Sequence, residues 1–91
     1  MNITVAWFGQ LRDAADVAEQ EVSIDPGATV ASVLLDLAEA HGEPLASMLR
    51  RGEGIASTLL VSLDDVQVMD PQATTASPGS RLVVMAPISG G

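Results

Sequence analysis

The sequence contains no cysteine. Disulfide scaffolds, thiolate metal sites and a cysteine nucleophile are therefore excluded. Lysine is missing as well: the 4 basic residues are Arg12, Arg50, Arg51 and Arg81, set against 12 acidic ones for a formal net charge of -8. The isoelectric point is near 4.1. Nucleic-acid binding relies on cations that neutralise phosphates, so this balance argues against a nucleic-acid partner. It suits an acidic surface steered toward a basic protein. Aromatics are almost absent, Trp7 and Phe8 being the only two, so any core must be aliphatic. No apolar run approaches the roughly 20 residues that span a bilayer, so no membrane partner is expected. Met1-Asn2-Ile3-Thr4 lacks the charged region and apolar stretch of a secretory signal. The expectation is a soluble, cytoplasmic protein.

What is present is enough for one core. The chain has 91 residues, 47% of them hydrophobic, with a mean hydropathy of +0.32. Two separate cores at this length would each be too small.

Ile3 to Phe8 is rich in β-branched and aromatic residues and predicts a strand that Gly9 ends. Gln10 to Glu19 reads as a polar, Ala-rich connection with room for a helical turn. Glu21 to Ile24 alternates polar and apolar, as a second strand paired back on the first would, and Asp25-Pro26-Gly27 is turn chemistry. Thr29 is an N-cap candidate for a helix running to about Ala40. Val30, Val33, Leu34 and Leu37 form one apolar stripe at helical spacing, and His41-Gly42 reads as the helix end. Glu43 to Gly54 reads as irregular, with Leu45, Met48 and Leu49 tucked under the helix. Thr58 to Leu63 predicts a strand, Asp64-Asp65 a hairpin turn, and Val66 to Met69 a short return strand. Asp70 to Ser80 is loop, and Arg81 to Ala86 is the last strand, stopped by Pro87. The order β-β-α-β-(β)-β predicts an α+β fold of β-grasp (ubiquitin-like) type. Its mixed sheet would carry one main helix on one face, within a domain over 1–87 followed by a flexible tail, 88–91.

Catalytic constellations are wanting. The single histidine, His41, reads as a helix-end residue, and without cysteine no metal site is expected. The acidic residues Asp13, Asp16, Glu19 and Glu21 read as a solvated face. The unusual feature is the end, where a strand and a proline lead to Gly90-Gly91. A chain end that must enter another protein's active site benefits from residues without a Cβ, and Pro87 lowers the entropy lost on docking.

Trp7-Phe8-Gly9-Gln10-Leu11-Arg12 and Met85-Ala86-Pro87-Ile88-Ser89-Gly90-Gly91 resemble the small subunit of molybdopterin synthase, within the wider ubiquitin-like sulfur carriers (MoaD/ThiS-like). The likeness covers essentially the whole chain. Two places differ from the family pattern. Ala86 precedes Pro87 where a second proline is usual, and Ser77-Pro78-Gly79-Ser80 replaces an Asp-Gly-Asp turn.

The resemblance implies that an E1-like adenylyltransferase (MoeB-like) uses ATP to activate the Gly91 carboxylate, which a sulfur donor converts to a thiocarboxylate. The tail would then enter the large subunit of molybdopterin synthase (MoaE-like), which supplies the catalytic groups, and donate sulfur in molybdenum cofactor biosynthesis. No tightly bound cofactor is implied. Gly91 and Gly90 would be the reacting end, and Ser89, Ile88, Pro87, Met85 and Leu60 the partner-binding residues. Strand alternation puts Leu82 and Val84 on one face and Val83 and Met85 on the other. The first pair is expected in the core, with Met85 at an interface, where a thioether adapts to more than one partner. Alternatives are a carrier for thiamine, cysteine or another sulfur pathway, a ubiquitin-like protein modifier, and a plain binding module.

Overall fold

The computed structural model describes residues 1–87. The predicted end residues Ile88, Ser89, Gly90 and Gly91 lie outside the described residues.

The first strand, β1 (Asn2–Phe8), is central. Ile3, Val5 and Trp7 are all buried, the period-two pattern of a strand with one face on a core. A short helix, α1 (Gln10–Ala15), turns the chain back into β2 (Glu19–Ser23), antiparallel to β1. The main helix, α2 (Val30–His41), then crosses one face of the sheet and buries Val30, Val33, Leu34 and Leu37, the stripe read from the sequence. Next come α3 (Leu45–Leu49) and a two-residue hairpin, β3 (Arg50–Arg51) and β4 (Gly54–Ile55). Strands β5 (Leu60–Leu63), β6 (Val66–Gln67) and β7 (Arg81–Met85) complete the elements of the described residues.

The main sheet has five strands in the order β2-β1-β7-β5-β6. First and last strands lie side by side and parallel, with Trp7 opposite Val84 and Phe8 opposite Met85. The other pairs in this sheet are antiparallel, so the sheet is mixed and the β-grasp reading holds. Leu82 and Val84 face the helix at 1% and 0% exposure, as the alternation required. Burying a Leu or Val side chain contributes roughly 1.5–3 kcal/mol.

The start of α2 shows how a loop far along the chain holds the helix. A helix leaves its first N–H groups without internal partners. Here the Val30 N–H donates to the Thr74 carbonyl (2.8 Å) and the Ala31 N–H to the Pro71 carbonyl (2.9 Å). The Ser32 N–H donates to Thr29 Oγ1 at 3.1 Å, the N-cap bond that the sequence predicted.

Several boundaries differ from the sequence reading. The segment around Leu45–Leu49 is helical rather than irregular. It buries Leu45 and Leu49, and Glu43 Oε1 accepts from the Ser47 N–H (2.8 Å) at its start. Thr58 and Leu59 stay outside the ladder because the Leu59 N–H turns back to the Ala56 carbonyl (3.2 Å). The return strand is only Val66–Gln67, and β7 ends at Met85 rather than Ala86. Strand β2 spans Glu19–Ser23, earlier than the predicted Glu21–Ile24, because its register with β1 reaches back to Ala6 opposite Glu19. Asp64-Asp65 does form the hairpin turn, with φ of 50° and 70°. Both angles are positive, as a two-residue type I′ connection demands.

Candidate partner-docking face and tail exit

The sheet has one face under the helices and one open face. Register assigns the open face directly, because side chains opposite each other on paired strands point the same way. Phe8 pairs with Met85 and Met85 with Leu60, a row across three strands. All three are exposed for large apolar residues, Phe8 at 47%, Met85 at 37% and Leu60 at 46%. Beside the row lies a shallow groove of about 210 Å³, lined by Leu60, Ser62, Gln67, Val83 and Met85. The chain leaves β7 directly after Met85, through half-buried Ala86 and exposed Pro87. The row therefore stands at the point where the last residues depart.

Met85 and Leu60, named from the sequence, are neighbours here, and Pro87 lies just beyond them. Phe8 joins them although the family resemblance does not assign it to partner binding, and the sequence carries its signal. Ile3, Val5 and Trp7 point inward, so Phe8 must point outward. That an aromatic occupies an outward position on a central strand marks the surface as one that needs apolar contact.

The rest of the open face is polar, beginning at Glu19, one row from Phe8. Arg81 Nη2 contacts Glu19 Oε2 at 2.7 Å, reaching past β1 from β7 to β2. Ala6 shares this face with Glu19 and Val83, yet is only 1% exposed. A methyl side chain leaves room for the ion pair to pass over it. The Arg81 side chain donates to Glu19 and holds its carboxyl below the ordinary value of 4.5, while Glu19, and more weakly Asp65, raise the Arg81 guanidinium. Both members are solvated, so the pair fixes geometry more than it stabilises the fold. Asp64 Oδ1 accepts from the Arg81 N–H at 2.8 Å, which ties the hairpin tip to the start of β7. On the α3 side, two donors from Ser47 lower the Glu43 carboxyl in the same direction.

His41 ends α2, as expected from its place in the sequence, but its ring does more than cap. The indole Nε1–H of buried Trp7 donates to Gln20 Oε1 (2.9 Å), and His41 Nε2 lies 2.9 Å from the same oxygen. An indole N–H only donates, so the oxygen of Gln20 must face it, and His41 must carry its proton on Nε2. The two rings meet edge-on, with centroids 6.2 Å apart. This is an internal brace away from the exposed row.

A cleft of about 410 Å³ lies between residues 54–61 and 67–72. Asp70 is the one ionisable side chain among its lining residues, so it carries no acid–base pair. Among the described residues no group of three or more His, Asp or Glu is arranged to hold a metal ion. No helix among them is long and apolar enough to cross a membrane.

The family model described as the ThiS family matches residues 5–91. The chain belongs to the ThiS family. It is thus one of the ubiquitin-like sulfur carriers. No curated protein matches it. Among solved structures, this ThiS-family chain resembles SAMP1 from Haloferax volcanii at 25% identity and a TM-score of 0.85, with 100% of each chain covered. It resembles the Amycolatopsis orientalis BexX/CysO complex at 23% identity and a TM-score of 0.70, over 98% of this chain and 99% of the other. A third likeness is to the complex of subunits 1 and 2 of the molybdopterin-converting factor of Helicobacter pylori. There the identity is 19% and the TM-score 0.62, with both chains covered completely. The last two likenesses, below 25% identity, concern the fold alone; both structures contain a protein partner.

Proposed function

We propose that the Gly91 carboxylate is the working group of this protein, and that the domain over 1–87 exists to present it. The observation that carries this reading is the exposed Phe8–Met85–Leu60 row, set where β7 releases the chain toward Gly91. Such a row gives a partner an apolar grip beside the segment it must thread into its own active site.

A carboxylate is a poor electrophile. Attack of the Gly91 carboxylate on the α-phosphorus of ATP, in an E1-like adenylyltransferase, expels pyrophosphate and leaves an acyl-adenylate. Hydrosulfide or its enzyme-bound equivalent then attacks the acyl carbon, AMP departs with the C–O bond electrons, and a thiocarboxylate remains. Gly90 and Gly91 have no Cβ to obstruct either attack. Ile88 and Ser89 would line the partner's passage, with Pro87, Met85 and Leu60 at its mouth. No cofactor is held by the carrier, and ATP is consumed by the activating enzyme. The acceptor favoured by the Pro-Ile-Ser-Gly-Gly ending is a pterin precursor in the large subunit of molybdopterin synthase, where the sulfur becomes part of the molybdenum cofactor dithiolene.

A second reading is supported by the SAMP1 likeness, whose TM-score of 0.85 exceeds the 0.62 of the molybdopterin-converting factor. SAMP1 is a small archaeal modifier protein. On this reading activated Gly91 forms an amide with a lysine of another protein. Intact mass after incubation with ATP, an E1-like adenylyltransferase and a sulfur source separates the two. Exchange of one oxygen for sulfur supports carriage, and a covalent adduct on a lysine of a second protein supports modification. An unchanged mass under conditions that activate another ThiS-family carrier overturns both.

A further inference from the structure

The open face is graded along its strands, and the gradient describes the partner. At one end stand Phe8, Met85 and Leu60. Four residues back along β1, Thr4 is opposite Glu21 on β2 and Arg81 on β7. Strands rise about 3.3 Å per residue, so this second row lies about 13 Å from the first. Exposed Glu21 and the hairpin-tip carboxylates of Asp64 and Asp65 stand at this row, and Glu19, opposite Ala6 and ion-paired with Arg81, lies between the two rows. Of these, Glu19 and Asp65 act on the Arg81 guanidinium, while Asp64 holds only its backbone N–H. With Arg12 lining the cleft beside Glu19 and Arg81, four carboxylates face two guanidiniums, and that part of the face is net negative.

We infer that the protein surface that receives this face carries, along one line, a basic cluster, an apolar recess about 13 Å further on, and then the mouth of the pocket that takes the chain end. The order follows from β7, which runs from Arg81 to Met85 and on toward Gly91. Residues 86–91 reach at most about 20 Å beyond the row when fully extended. The acidic end governs encounter, since opposite fields raise association rates by tenfold or more and act across about 8 Å at physiological salt. The apolar row governs residence, because desolvated contacts near the centre of an interface set the dissociation rate. A second copy of this chain fits the face poorly: it would set two such acidic ends in a complex already carrying twice the -8 charge.

This inference rests on the activation of Gly91 proposed above. The probe is the E1-like adenylyltransferase that adenylates this chain, followed by stopped-flow association at several salt concentrations. The double variant Glu21→Gln, Asp65→Asn keeps the shape of both residues, and asparagine tolerates the positive φ at position 65. Its association rate is expected to fall about three- to tenfold at low salt, with a shallower salt dependence and a melting temperature that does not fall. Phe8→Ser should instead accelerate dissociation while leaving the salt dependence as it was. A double variant that associates like the unsubstituted chain at every salt concentration overturns the inference. So does a concentration-dependent dimer of the free chain that Phe8→Ser abolishes. If no adenylate forms on Gly91 at all, the proposed function fails first, and the mass measurement reports that separately.

Discussion

At the scale of single residues, exposure and burial assign different tasks to neighbours in one strand. Val84 is fully buried and Met85 is 37% exposed, so one holds the core while the other is available to a partner. Met85→Asp is therefore expected to weaken binding to the adenylyltransferase at least about tenfold. Folding stability should shift by no more than about 0.5 kcal/mol, as surface substitutions generally do. Calorimetric binding and a thermal melt on one preparation check both halves. Gln20→Leu behaves in the opposite way. It leaves the Trp7 indole N–H and the His41 Nε2–H without their shared acceptor. The expected loss is about 1–3 kcal/mol, the cost of an unsatisfied buried donor, read by urea unfolding. Binding of partners should be unaffected once the variant is folded.

At the scale of elements, the ends of α2 and the β5–β6 turn are the points where sequence chemistry is most direct. Thr29→Ala removes the acceptor for the Ser32 N–H and is expected to cost about 1 kcal/mol in chemical denaturation. The turn offers a gain. Asp65 occupies a left-handed conformation, φ 70°, that glycine adopts without a Cβ penalty. Asp65→Gly yields the Asp-Gly pair favoured in such hairpins and should stabilise the fold by about 0.5–1 kcal/mol. A lower melting point for this variant would show that the Asp65 charge matters more to the fold than its backbone strain. Deleting Gly91, in contrast, should abolish sulfur loading and leave the melt of the 1–87 domain almost unchanged.

The whole molecule carries a charge of -8, and two opposing pH effects follow. Glu19 is more acidic in the folded state than its ordinary 4.5, because Arg81 bonds the ionised form. A group with a lowered folded value stabilises the fold above its unfolded value, and that contribution is lost as pH falls through the folded one. Glu19→Gln should thus narrow the stability difference between pH 7 and pH 3, with both proteins converging at the acid end. The general repulsion among carboxylates works the other way and is relieved as they protonate. Salt isolates this second effect. Between about 0.01 and 0.15 M ionic strength the screening length shrinks from about 30 to about 8 Å, and the melting temperature at pH 7 should rise.

Residue order alone determined the elements whose pattern is local. The α2 stripe, its Thr29 cap, the Asp64-Asp65 turn and the inward pair Leu82 and Val84 follow from periodicity and turn chemistry, which act over a few residues. Helix α3 escaped because five residues are too short to display a helical period, and the two-residue strands β3 and β4 too short to alternate. Pairing was decided only in three dimensions. Phe8 and Met85 are 77 positions apart in the chain, yet they meet because β1 and β7 lie parallel. The Glu19–Arg81 bridge, the Gln20 brace between Trp7 and His41, and the loop carbonyls of Pro71 and Thr74 that start α2 arise in the same way. Each joins segments brought together by burial of a common core, and no local pattern records which surface neighbours that burial will produce.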